Sequence, residues 1–151
     1  MNRKFNAKAI IKGNDIYNNI EGIAYFFYTN RGVMVAIEVK GLPTGIDKCD
    51  NRIYGIHIHE GVSCTGNKND IYANTMGHYN PDKCMHPYHA GDMPPLFESN
   101  GYAFMTYLTN RFSINQIIGR TIIIHNMPDD FRTQPSGDSG NKIACGVIEE
   151  I

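Results

Sequence analysis

Short runs of β-branched and aromatic residues, cut apart by Gly, Asn, Asp and Pro, recur along the chain and leave almost no room for helix. Such residues fit a pleated, half-buried surface, and they lack the three-to-four-residue period of an amphipathic helix. The runs fall at residues 7–12, 21–29, 33–39, 53–59, 101–108, 121–125 and 142–148, which predicts about seven or eight strands. Gly13-Asn14-Asp15 has turn chemistry, and Asn30-Arg31-Gly32 is a hairpin connection. Only residues 113–118 offer a brief helix. The chain therefore reads as a single all-β domain over residues 1–151, a sandwich or barrel long enough to bury its own core.

One stretch breaks this rhythm. Residues 60–100 carry little strand signal and are rich in Gly, Pro, Asn and Asp, and a structureless stretch of that length in a compact domain usually carries function. All six histidines fall between positions 57 and 125, five of them in or beside this stretch: His57, His59, His78, His86 and His89, with His125 further on. Neutral imidazole is the commonest protein ligand for copper and zinc.

In Gly55-Ile56-His57-Ile58-His59-Glu60 the alternation of a strand puts both histidines on one face, about 7 Å apart at the backbone, where they can converge on one ion. Two half-exposed strand histidines would give the same pattern. His78-Tyr79-Asn80-Pro81 is followed by His86-Pro87-Tyr88-His89-Ala90-Gly91-Asp92. The spacing of His86, His89 and Asp92 imitates a helix face, but Pro87 and Gly91 argue for a loop wrapped around an ion. Three imidazoles and one carboxylate make a closed tetrahedral set suited to zinc. Ile122-Ile123-Ile124-His125 ends an apolar strand, and by itself His125 reads as an ordinary strand-end histidine.

Charge narrows the partners. Lys and Arg number 14 against 15 Asp and Glu, a net charge of -1, so there is no basic footprint for nucleic acid. No apolar run approaches the length of a membrane span. The start, Met1-Asn2-Arg3-Lys4-Phe5, lacks the apolar core of a secretion signal. As written the chain is expected to be cytoplasmic, and extracytoplasmic if a leader was removed.

Taken together, these motifs resemble the copper/zinc superoxide dismutase family from about Ala7 to Ile148. The residues that carry the resemblance are Gly55 to Glu60, Gly77-His78-Tyr79-Asn80-Pro81, His89-Ala90-Gly91-Asp92, Ile118-Gly119-Arg120-Thr121 onward to His125, and Ala144-Cys145-Gly146-Val147-Ile148. The resemblance implies a Greek-key, immunoglobulin-like sandwich or flattened barrel of about eight antiparallel strands with long metal-binding loops. It implies copper on His57, His59, His78 and His125, and zinc on His78, His86, His89 and Asp92, with His78 shared. Asp129 is expected to link one copper histidine to one zinc histidine from outside the ligand set, fixing their orientation. Copper would pass an electron from one superoxide to a second, while His78 carries a proton.

The resemblance also marks a departure. The family places an arginine beside the copper channel three residues before the conserved cysteine, and here that residue is Lys142. Lysine keeps the positive charge but loses the planar two-donor fork. Cys64 and Cys145 are expected to form the family's disulfide, whereas Cys49 and Cys84 have no counterpart. The short Cys64 spacing, Gly91-Asp92-Met93-Pro94 and Gln134-Pro135 resemble the bacterial branch, whose members dimerise differently from others, so the protein is expected to be a monomer or homodimer. Two other readings remain at this point. One is a non-enzymatic copper- and zinc-binding protein that buffers or delivers metal, and the other a zinc-stabilised interaction module.

Overall fold

Strand β3 (Gly32–Lys40) shows how the sequence sets the architecture: Val33, Val35, Ile37 and Val39 are buried, and the residues between them face away from the core. Period-two alternation of this kind builds a sheet with one covered face. The computed structural model describes residues 5–151, and residues 1–4, on which part of the N-terminal reading rests, lie outside the described residues. The other strands are β1 (Phe5–Gly13), β2 (Glu21–Thr29), β4 (Ile53–Tyr54), β5 (Ile56–His59), β6 (Leu96–Phe97), β7 (Ala103–Thr109), β8 (Thr121–His125) and β9 (Lys142–Glu150).

Seven of them form one antiparallel sheet in the order β5-β8-β9-β1-β2-β3-β7, and β4 pairs with β6 in a small second sheet. The large sheet curls around a core that includes Ile11, Phe26, Ile37, Ile56, Ile58, Ile122 and Ile124, all fully buried. Each such side chain contributes roughly 1.5–3 kcal/mol on leaving water. The chain crosses from β3 at one side of the order to β5 at the far edge, and again from β7 to β8. These crossovers are the Greek-key connections of a flattened barrel. The hairpin between β2 and β3 closes at Asn30-Arg31, with Gly32 at φ 130°. The brief helix falls at Ile114–Ile117. No described helix is long and apolar enough to cross a membrane.

Two features differ from the sequence-based expectation. Residues 53–59 are not one strand. The chain breaks at Gly55, whose N–H donates to the Met127 carbonyl and whose carbonyl accepts from the His125 N–H. Those bonds pass the chain from the small sheet into the large one and split one run into β4 and β5; with β6, the described residues hold nine strands instead of seven or eight. The second is β6, two residues long, inside the stretch that reads as structureless.

Candidate metal centre

Across the β5–β8 pair, Ile56 faces Ile124 and Ile58 faces Ile122, and these four join the main core. Alternation turns His57, paired with Ile123, and His59, paired with Thr121, to the opposite face. The long connection from β5 to β7 folds back over that second face. It is pinned there by backbone bonds from Ile58 N–H to the Gly91 carbonyl and from Tyr79 N–H to the Ile58 carbonyl. Cys64 and Cys145 form a disulfide that ties this loop to β9, and Tyr72 and Ile123 pack beside it. The result is a buried cluster in which all six histidines, Asp92 and Asp129 are at most 8% exposed.

Two groups of donors converge inside it. His57, His59, His78 and His125 form one, and His78, His86, His89 and Asp92 the other, with the candidate ligand atoms of each group within 4.8 Å of one another. In the first group, His59 Nδ1 donates to the Met76 carbonyl at 2.8 Å and His125 Nδ1 to the Gly140 carbonyl at 3.3 Å. A carbonyl can only accept, so each Nε2 is left with a lone pair. These two Nε2 atoms face each other at 3.3 Å. Opposed lone pairs at that distance repel unless a cation lies between them. His57 Nδ1 and His78 Nε2 are also buried without a hydrogen-bond partner. A polar atom is not left orphaned in a protein interior without cause. The donor set fits a metal ion.

The second group is held by Asp92. Its carboxylate lies 2.7 Å from His78 Nδ1, 3.1 Å from His86 Nδ1 and 3.4 Å from His89 Nδ1. Its Oδ2 also accepts the His89 N–H at 3.0 Å. His78 thus presents Nδ1 to this group and Nε2 to the other. Asp129 spans the two groups from outside, accepting from His57 Nε2 at 2.7 Å and from His86 Nε2 at 2.8 Å. As the acceptor of both, it leaves each Nδ1 as the lone-pair nitrogen facing inward.

Burial, and then the neighbouring imidazoles, hold His57 and His59 well below the usual histidine range. His125 is lowered to about 4, again chiefly by burial, with the charges of His78 and Lys142 acting in the same direction. Burial likewise lowers His89. Neutral imidazoles are the form that binds metal.

A family model for copper/zinc superoxide dismutase matches residues 20–148. A copper/zinc superoxide dismutase of Aquifex aeolicus is 32% identical, the match covering 84% of this chain and 78% of that protein. One from Deinococcus radiodurans is 31% identical over 91% of this chain and 81% of its own. One from Legionella pneumophila is 32% identical over 85% and 77% respectively. The chain belongs to the copper/zinc superoxide dismutase family. It is an oxidoreductase that acts on superoxide, with copper and zinc as its cofactors.

Within this copper/zinc superoxide dismutase fold, Lys142 opens β9 and pairs with His125 across the ladder. Its ammonium donates to Asp70 Oδ2 at 3.0 Å and to the Tyr72 carbonyl at 3.2 Å. Cys49 and Cys84 are free, exposed and in neither donor group.

Three supports of the site carry no sequence signal of their supporting role. Gln134 clamps the His86 backbone, accepting its N–H and donating to its carbonyl. Arg111 donates to the carbonyls of Pro87 and His89, holding the loop that carries His86 and His89. Gly137 sits at φ 73°, where a Cβ would overlap the Asp129 carboxylate. Its role arises from a close approach through space, and only its being a glycine in a loop could have hinted at it.

Proposed function

We propose that the chain dismutates superoxide at paired metal sites that share His78. His57, His59, His78 and His125 would hold copper, and His78, His86, His89 and Asp92 zinc. The observation that carries this reading is the double orientation of His78, with Nδ1 beside Asp92 and Nε2 buried without a partner among the other three histidines. When bound, copper supplies a one-electron couple and zinc a fixed charge with no redox chemistry of its own.

The protein's residues do the rest. His57, His59 and His125 are kept neutral by burial and keep their lone pairs available across the physiological range. Asp129 holds the His57 and His86 rings in one tautomer. A proton placed on His78 Nε2 meets no protein acceptor, so it is free to pass to a reduced oxygen species. Lys142 supplies positive charge beside His125 and draws the substrate anion toward the site.

The test is metal retention combined with superoxide consumption. Protein loaded with both metals and dialysed should retain copper and zinc in equal amounts and consume superoxide, and His78→Ala should lose the activity. Zinc retention without copper would overturn the reading in favour of a zinc-stabilised module. Copper retention without superoxide consumption would overturn it in favour of metal buffering.

A further inference from the structure

Lys142 is the cation that the proposed function assigns to anion capture, yet it is already engaged with an anion. Its ammonium donates to Asp70 Oδ2 at 3.0 Å and to the Tyr72 carbonyl at 3.2 Å. Lys142 and Asp70 line a cavity of about 490 Å³ together with Gly140, whose carbonyl receives the His125 Nδ1–H. None of the six histidines lines that cavity. The ammonium is therefore drawn to the side of the copper group.

We propose that Asp70 is a positioning residue that pairs with Lys142 as an internal counter-anion and competes with superoxide for its charge. The inference rests on the proposed function, because it presumes that anions enter beside His125. The pair is built to exchange. The Asp70 side chain is 45% exposed, against 18% for Lys142, and an ion pair with one partner this open to water is weakened and screened by salt. It is also held in a fixed place. The disulfide of Cys64 with Cys145 and the packing of Tyr72 on Ile123 anchor the loop that carries Asp70 against β9. An arriving anion can take over the ammonium while the loop stays where it is. With Asp70 in place, the two charges nearly cancel at a distance, and the field that would gather superoxide is reduced.

Asp70 has a structural duty as well, which must be kept apart from its charge. Its Oδ1 accepts the Tyr72 N–H at 2.9 Å, and its backbone carbonyl accepts from Asn67 and Ala73. Asparagine retains an oxygen at Oδ1 and the same backbone, so Asp70→Asn removes the charge and leaves the turn intact.

The experiment uses the copper- and zinc-loaded protein, with azide as the anion probe. Azide affinity is read from the charge-transfer absorbance, and superoxide kcat/KM is measured across ionic strength. Asp70→Asn should tighten azide binding and raise kcat/KM by about threefold at low ionic strength, and the gain should fade at ~0.5 M salt. In a Lys142→Gln background the same substitution should change azide affinity by less than about 1.5-fold, because the charge it unmasks is gone. An equal gain in both backgrounds, or no gain with Lys142 present, overturns the inference while leaving the proposed function standing. Wild-type protein that neither binds azide nor consumes superoxide would overturn both.

Discussion

Replacing Gly137 with alanine should disrupt the contact by which Asp129 orients His86 without changing either residue. The backbone there has φ 73°, and a Cβ would overlap Asp129 Oδ1 and approach His86 Nε2 to 2.6 Å. Both atoms belong to the bond by which Asp129 orients His86. Alanine in the left-handed region costs about 1–2 kcal/mol. Breaking a buried hydrogen bond to a charged group costs about 1.5–3 kcal/mol more. A loss of about 3–4 kcal/mol in a domain of this size should lower Tm by roughly 10 °C. With His86 no longer held in one tautomer, zinc affinity should fall about 10- to 100-fold. Calorimetry of the metal-free protein gives the first number and chelator competition the second. Gly77→Ala is the control, since a Cβ at Gly77 would meet nothing within 4 Å. A Gly137→Ala variant with zinc affinity within about threefold of wild type and Tm within about 2 °C would refute the close-approach reasoning.

The pH dependence of the metal-free protein follows from the buried histidines. His57, His59 and His125 have folded values below the unfolded value of about 6.5, so the unfolded chain binds more protons as pH falls. Stability should be fully present above about pH 6.5 and drop as pH falls toward about 4, with a slope above ~1.4 kcal/mol per pH unit, meaning more than one proton; denaturant titrations at several pH values check this. Lys142→Arg should raise kcat/KM at low salt, because the guanidinium can keep Asp70 and still offer donors to an anion, and an unchanged or lower value counts against Lys142 as the capturing cation. Reducing the Cys64–Cys145 disulfide, which spans 81 residues, should lower stability by up to about 4.5 kcal/mol on chain-entropy grounds, read as a lower denaturant midpoint in dithiothreitol.

Much of the fold was legible because alternation reports directly on a sheet with one covered face. Residues 33–39 and 121–125 read as strands and are strands. The break at Gly55 was hidden because β-type residues continue on both sides of it, and only the bonds to Met127 and His125 show that the chain changes sheets there. Strand β6 is too short for any period to register. In the site, His57 with His59 and His86 with His89 and Asp92 were visible through spacing, since each set comes from one short segment. Asp129 and the sharing of His78 came from resemblance to the family, because nothing local to residue 129 announces two histidines 72 and 43 positions away. The pairing of Lys142 with Asp70 was invisible for the same reason: those residues lie 72 positions apart and meet only after the loop is tied to β9.

The claim most in need of a direct test is that one imidazole serves two metals. Cu(II) placed in both donor groups would bring two unpaired spins to opposite nitrogens of the His78 ring. Electron paramagnetic resonance at low temperature should then show an intensity well below that of two isolated coppers, because the shared ring couples their spins. Two uncoupled copper signals of full summed intensity, with both groups filled, would contradict the account.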